Sequence, residues 1–377
     1  MNKKFKISII LCILYLLIIN LFNIIFYSSK YNHINNELEN KIKEIFNTFN
    51  KVNINEVDNK INDNDNYSGR KIKSTINIGF TLDKNYILET MLTVSSIMAT
   101  QKRTTKIKFH FGVTNGFNAK KMLKIYELRN KINKLAEFNF YYLKESVKKM
   151  KNFHPRGEAC PGKFELPIYL SDDIERLIIF DAGDLLVLRD LSELYNYNME
   201  DYWVLGIPEP KIIDSFMKAR YNMSKYINIG SILLNIKKLK QNYFWINYTK
   251  NRYIKLEGQP DQTLFNILIP DDKKNYLPFK FGGFSLFSSD KNYDSLKFED
   301  FGYKNWLNSN LSESLPENPK NEEKIILNLY NPSFIHQFSG KWEKGKGLTI
   351  YRLLAKYFML IAGISMEICK KKPGYCL

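Results

Sequence analysis

The chain has 377 residues, 44% of them hydrophobic and 14% aromatic, enough for one large or two small globular domains with a real core. Lys and Arg number 56 against 39 Asp and Glu, a formal charge of +17. These basic residues are scattered among Asn, Ile and Tyr, with no zinc-finger, basic-zipper or RNA-recognition pattern beside them, which argues against nucleic acid as a partner.

Lys3, Lys4 and Lys6 precede an apolar run from Ile7 to Tyr27, broken only by Ser8, Asn20 and Asn23. Crossing a hydrocarbon core takes roughly 20 residues, whereas a cleaved signal peptide has a core of roughly 7–15. Residues 1–27 are therefore expected to be a cytosolic tail and a signal-anchor transmembrane helix, with the basic side cytosolic. The expected placement is single-pass, with the C-terminal bulk in a Golgi-like or ER-like lumen or outside the cell. Cleavage after Tyr27-Ser-Ser is the alternative.

Residues 28–73 are rich in Asn, Lys, Asp and Glu and read as a stem or linker. Leu38, Ile42, Ile45, Phe46 and Phe49 have helical spacing within it. Asn-x-Ser/Thr sequons begin at Asn66, Asn222, Asn247 and Asn310, which suits a lumenal domain. Of the four Cys, Cys369 and Cys376 flank Pro373-Gly374 and form either a small disulfide or two free thiols. No zinc-type spacing is present.

From residue 74 to 377 the pattern is that of one α/β domain. Ile76-Asn-Ile-Gly-Phe80 reads as a strand, Thr81 to Tyr86 as a polar loop, and Ile87 to Ala99 as a helix with Leu88, Met91, Leu92, Ser95 and Ile97 on its apolar side. Ile107–Val113 is the next strand, Ala119–Leu135 a helix, and Phe138–Leu143 a strand. Further strands follow at Leu177 and at Trp203–Ile207. Alternation of this kind implies a mostly parallel sheet flanked by helices. Ligands in such sheets bind beyond the carboxyl ends of strands at a topological switch. No Gly-x-Gly-x-x-Gly and no P-loop follows the first strand, which disfavours a classical dinucleotide or phosphoryl-transfer site.

Leu177 to Phe180 is an unbroken apolar strand that runs into Asp181-Ala-Gly-Asp184. Carboxylates at the end of a buried strand need a partner, and a divalent cation with oxygen ligands is the commonest one. A turn in which an Asp caps the next element and Gly183 supplies positive φ is the other reading. Near the C-terminus, Leu348 to Cys369 reads as a helix with Leu353, Leu354, Phe358, Ile361 and Ile364 apolar. Arg352 and Lys356 interrupt it too much for a membrane span.

Taken in order, these blocks resemble the family 8 glycosyltransferases, retaining enzymes with a GT-A fold, over about Ile76 to Ile364. The resemblance implies a GT-A, Rossmann-like nucleotide-sugar-binding domain. It implies that Thr81, Asp83, Asn85 and Tyr86 contact the base and ribose of a UDP-sugar, although Asp83 can equally be a helix N-cap. In Lys163-Phe-Glu-Leu-Pro167 the family usually opens with Arg; here Lys163 would meet diphosphate or sugar as a point charge. Asp181-Ala-Gly-Asp184 is similar to the family's Asp-x-Asp with one residue inserted. Asp184 would ligate the metal, and Asp181 would join it if Gly183 absorbs the extra residue as a bulge. In Tyr226-Ile-Asn-Ile-Gly230, Asn228 would contact the donor sugar and Gly230 would admit it. In Gly258-Gln-Pro-Asp-Gln262, Asp261 would hold sugar hydroxyls and Gln262 would lie beside the anomeric carbon, with a helix N-cap as the plainer role for Asp261. Phe334-Ile-His-Gln-Phe-Ser-Gly-Lys-Trp342 resembles the late His-x-x-Gly block. By that match His336 is the third metal ligand and Gly340 and Lys341 belong to the donor site, with Lys341 the candidate for the leaving diphosphate and Lys344 and Lys346 its competitors.

The implied activity is transfer of a hexose or related sugar from a UDP-sugar to an acceptor hydroxyl on a glycan, glycoprotein or glycolipid, with Mn2+ or Mg2+. Its catalytic pair would be Asp261 and Gln262. An amide is a poor nucleophile, so front-side attack is the expected course. The alternative is a degenerate GT-A protein that binds sugar nucleotide or glycan without turnover. Donor, acceptor and oligomeric state stay open.

Overall fold

The computed structural model describes residues 72, 74–102, 104–114, 117–133, 135–143, 162–209, 211–251, 256, 260–278, 281–285, 334–337, 355 and 358–364. The expected anchor, the expected stem apart from Ile72, Gly340, Lys341 and all four cysteines lie outside them. Among the described residues no helix is long and apolar enough to cross a membrane.

Among the described residues, ten strands make two sheets. The larger contains β1 (Ser74–Leu82), β2 (Thr105–Val113), β3 (Glu137–Tyr142), β4 (Arg176–Phe180), β6 (Val204–Pro208), β7 (Ile227–Asn235) and β8 (Lys274–Tyr276), in the order β3-β2-β1-β4-β7-β6-β8. The smaller orders β5 (Leu185–Val187), β10 (Phe334–Gln337) and β9 (Gly282–Ser285) as β5-β10-β9. Helices α1 (Ile87–Thr100), α2 (Ala119–Lys131), α3 (Ser192–Tyr195), α4 (Lys211–Tyr221), α5 (Ile236–Gln241), α6 (Phe244–Asn251) and α7 (Pro260–Leu268) connect the strands, with a 3-10 turn at Leu166–Tyr169.

Four of the six strand pairs in the large sheet are parallel, and β7 runs antiparallel to both its neighbours, β4 and β6. The mostly parallel sheet expected from the alternation is therefore present with one strand reversed. Burial on both faces makes a strand apolar whichever way it runs, so its direction leaves no trace in composition. The order turns back on itself at β1 and β4, which places a crevice beyond their carboxyl ends.

The two faces of β1–β3 are built differently because side chains alternate along each strand. On one face Phe80, Phe109, Phe111, Phe138 and Phe140 stack across three strands, with ring centroids 5.7 Å apart for Phe80–Phe111, 5.0 Å for Phe111–Phe140 and 5.2 Å for Phe109–Phe138. Each such pair contributes about 0.5–1.5 kcal/mol beyond its buried area. On the other face His110 bridges Asn77 Oδ1 (3.0 Å) and Tyr141 Oη (3.1 Å), and Asn77 donates to Tyr195 Oη at 2.7 Å. Burial, with Lys108 nearby, lowers the His110 pKa to about 4.

Gly79 leaves room on that face. A Cβ there would sit 3.0 Å from Leu166 and 3.1 Å from Leu177. Leu166 therefore docks directly on the sheet, and Phe164 stacks on Phe265 (4.9 Å) and meets Tyr248 (5.0 Å) from α7 and α6. Burying one such side chain is worth about 1.5–3 kcal/mol. The C-terminal helix ends earlier than its apolar spacing suggests. Gly363 has φ +71°, and Ile364 N–H donates to Met359 O while Gly363 N–H donates to Leu360 O, a glycine-terminated helix end.

Candidate active site

The carboxyl edge of the large sheet gathers residues that are far apart in sequence. Strand β1 runs on to Leu82, two residues into the expected polar loop, so Thr81 is a half-buried strand residue and Asp83, just beyond the strand, is buried. Asp83 Oδ1 accepts the Asn85 N–H at 2.7 Å and closes the loop as an Asx turn. The cap position of α1 is Tyr86, without a side-chain cap, so Asp83 is not the helix cap that its spacing allowed. Asn85 is exposed and Tyr86 half-buried, on the loop that leads into α1.

Beyond β4 the chain leaves one sheet for the other. Strand β4 ends at Phe180, Asp181 to Asp184 form a turn, and β5 begins at Leu185 in the smaller sheet. The expected bulge within one strand is replaced by this turn between two sheets. Gly183 holds φ +78°, a conformation that strains any residue with a Cβ. The glycine expectation is met for the reason the turn reading supplied, while the bulge expectation is corrected. Asp181 and Asp184 are both half-buried here.

Helix α1 fixes this turn through hydroxyls. Thr93 Oγ1 accepts the Gly183 N–H at 2.8 Å and donates to Leu185 O at 3.1 Å. Ser96 Oγ accepts the Val187 N–H at 3.0 Å, and Gln101 Oε1 accepts the Leu191 N–H at 2.9 Å. Thr93 and Ser96 are fully buried hydroxyls, and their place among the apolar residues of α1 is the signal in the sequence that marks them.

Strand β10 brings His336 to the same place. Its backbone pairs with Leu185, the residue after Asp184, in an antiparallel ladder where partner Cα atoms lie about 4.5–5.5 Å apart. The His336 side chain is outside what is described. Among the described residues no group of three or more His, Cys, Asp or Glu side chains is set to hold a metal. Asp181 and Asp184 lie on one turn, and the backbone of His336 pairs with the residue that follows it.

Lys163 is buried at 5% exposure. Its Nζ lies 2.7 Å from Asp181 Oδ1 and reaches Ile229 O at 3.5 Å. Asp181 N–H in turn donates to Gly230 O at 2.7 Å. A cation thus stands on one of the two acidic side chains and ties it to the start of β7.

The β6–β7 ladder is irregular. Gly206 pairs with Ile232 but Ile207 pairs with Asn228, so Ile229, Gly230 and Ser231 stand as extra residues in β7. The bulge lies here, opposite β6, rather than at Ala182-Gly183. It turns Asn228 and Gly230 toward the edge where Asp181 leaves β4. Asn228 Oδ1 accepts the Gly230 N–H at 2.7 Å, and Asn228 Nδ2 donates to Glu209 Oε1 at 2.7 Å.

Helix α7 completes the edge with its first turn. Pro260 opens it, needing no backbone donor there. Asp261 is therefore inside the first turn, where the helix dipole favours a carboxylate, and is not an N-cap. Asp261 and Gln262 are 4% and 1% exposed. Gln262 Oε1 accepts the Ile229 N–H at 3.2 Å, and Nε2 donates to Glu209 Oε1 at 2.7 Å. Below them Asn266 takes both polar groups of Ile227, accepting from N–H and donating to O at 2.9 Å each. Lys274, buried at 1%, donates to Asn266 O at 2.6 Å and pairs with Asp271 at 2.9 Å. Tyr226 meets Thr263 Oγ1 at 3.0 Å, and burial raises its pKa well above the ordinary tyrosine value.

The edge thus carries Asp83 after β1, Asp181 and Asp184 after β4, Asn228 and Gly230 at the start of β7, and Glu209 after β6, with Gln262 from α7 joined to Glu209 and β7 by hydrogen bonds and Asp261 beside it in the same helical turn. Glu209 and the Lys163–Asp181 pair were not foreseen. A lone Glu between Pro208 and Pro210 carries no motif, although a carboxylate just past a buried strand is the same signal that singled out Asp181.

A family model described as glycosyl transferase family 8 matches residues 77–316. The fold is similar to that of WbbM, a bifunctional glycosyltransferase solved in its apo form, with a TM-score of 0.56 at 15% identity over 79% of this chain and 52% of that one. The chain thus spans about half the length of that protein. It is also similar to the galactosyltransferase LgtC, solved with donor and acceptor sugar analogues, with a TM-score of 0.52 at 18% identity over 76% of this chain and 95% of that one. No curated protein matches the chain in sequence.

Proposed function

The chain belongs to glycosyl transferase family 8, and on that premise we propose that it moves a hexose or related sugar from a UDP-sugar to an acceptor hydroxyl, with retention. The observation that carries this reading is the convergence at one sheet edge of the Asp83 loop, the Asp181–Asp184 turn, Asn228, Asp261 and Gln262. In this reading Asn85 and Tyr86 read the base and ribose. Lys163 supplies positive charge at the diphosphate. Asp261 accepts hydrogen bonds from sugar hydroxyls, and Gln262 stands beside the anomeric carbon.

Asp181, Asp184 and His336 would hold Mn2+ or Mg2+, whose charge, when it is bound, stabilises the departing diphosphate. Gln262 has both amide ends engaged with protein and is a neutral group, which supports front-side attack over a double displacement through that residue. Membrane anchoring through residues 7–27, a lumenal or extracytoplasmic catalytic domain from residue 74, and a glycan, glycoprotein or glycolipid acceptor complete the proposal.

A screen of UDP-sugars for Mn2+-dependent hydrolysis and transfer by the full-length protein tests it. Turnover of one donor is expected; failure to bind UDP and to turn over any donor overturns it. The Lys163–Asp181 pair favours a second reading, a binding protein in which an ammonium has taken the cation's place. Lys163→Met separates the two by direct titration of Mn2+. An enzyme should bind Mn2+ about tenfold tighter once the competing ammonium is gone. A protein that has abandoned the metal should bind it in neither form.

A further inference from the structure

A side-chain amide has two ends of nearly equal shape, and only its hydrogen-bond partners decide which way it faces. Asn228 and Gln262 each meet one backbone N–H, from Gly230 at 2.7 Å and Ile229 at 3.2 Å. A backbone N–H can only donate, so both amide oxygens must point to the β7 bulge. Both NH2 groups must then point the other way, where they meet Glu209 Oε1 at 2.7 Å each. An ionised carboxylate can only accept, so the pattern has no equivalent flipped form. Glu209, Asn228 and Gln262 are 4%, 7% and 1% exposed, so no bulk water can substitute for a lost partner. The three residues come from three elements: the end of β6, the bulge of β7 and the first turn of α7.

We infer that Glu209 is a positioning residue of the donor-sugar subsite: its carboxylate sets the orientation of the Asn228 and Gln262 amides. The inference rests on the proposal that these two amides face the donor. Glu209 itself does not touch the reacting atoms in this assignment. A group at this position that both donates and accepts would allow one amide to turn over, and the subsite would lose its single arrangement.

Glu209→Gln is the informative variant because it keeps shape and burial while replacing one acceptor end with a donor. In the full-length protein, UDP affinity by calorimetry should stay within about twofold of wild type. The kcat for hydrolysis of the donor found in the screen should fall about 50-fold, with KM changed less than about threefold. Glu209→Ala should show the same split with a lower Tm. Loss of UDP binding in parallel with Tm would reduce Glu209 to a fold residue and overturn the inference, as would a kcat within about threefold of wild type. A sugar trapped covalently on Glu209 by mass spectrometry would overturn it too, by making it a nucleophile. If wild-type protein turns over no UDP-sugar, the functional proposal fails separately. Glu209 is then judged by the side-chain NH2 resonances of Asn228 and Gln262 in selectively 15N-labelled protein. Shifts in both pairs on Glu209→Gln support the inference, and unchanged resonances overturn it.

Discussion

The β1–β3 half of the sheet and the β4–β7–β6 half hold their site residues by opposite means. In the first, a stack of phenylalanines supplies the cohesion, and Asp83, Asn85 and Tyr86 ride on a loop whose bonds to Asp83 are local, from Asn85 N–H to its side chain and from Tyr86 N–H to its carbonyl. In the second, Asn228, Gln262, Glu209 and Asn266 are both the site and the mortar, joined across strands and helix by buried hydrogen bonds. The first half can lose a site residue without losing its core. The second cannot, because an unmatched buried polar group costs about 1–3 kcal/mol. Loose loops suit a nucleotide that must enter and leave, whereas a prebuilt polar wall suits a sugar whose reacting carbon must be held still.

The sharpest break of this contrast is Asp261→Ala on the α7 side. It should lower kcat about 10²–10³-fold with UDP binding retained, read by steady-state kinetics and calorimetry. Next is Asn266→Ala, which strands both polar groups of Ile227. A stability loss of about 2–4 kcal/mol by urea unfolding is expected, and a loss below about 0.5 kcal/mol would show that water replaces the amide.

His110 sharpens the comparison from the aromatic half. Its pKa of about 4 in the fold lies below the ordinary 6.5, so the unfolded chain binds the proton more readily. The stability it contributes is full above pH 6.5 and is lost as pH falls toward 4, an effect of about 3 kcal/mol. His110→Gln should flatten that acid limb in unfolding measured between pH 4 and 7. The smallest effect is expected at Asn85→Ala, with donor KM raised severalfold and stability within about 0.5 kcal/mol of wild type.

The sequence made some of this plain and hid the rest for physical reasons. Leu177–Phe180 is readable because it is an unbroken apolar run, and Ile107–Val113 because Ile107, Phe109, Phe111 and Val113 recur at every second position. The reversal of β7 was not, since apolarity carries no arrow. Asn228, Asp261 and Gln262 were reachable only through a resemblance to relatives, because a single buried amide looks like any other. Glu209 escaped because its partners lie at positions 228 and 262, joined to it only by the folded sheet. Lys163 is buried against Asp181 and Ile229, partners that lie 18 and 66 positions away and meet it only in the folded chain. The anchor, Gly340 and Lys341 lie outside the described residues, and for His336 the backbone register alone speaks.

The two hydroxyls of α1 set a rule for how this chain can vary. Thr93 and Ser96 are one helical turn apart, and they hold the N–H groups of Gly183 and Val187. The helix pitch therefore works as a ruler for the chain length between those two points. An added residue is absorbed upstream of Gly183, where Ala182 lies, but between Leu185 and Val187 it would pull one N–H off its mark. In homologues with hydroxyls at both helix positions, length differences in the acidic turn should accumulate before the glycine and not after it.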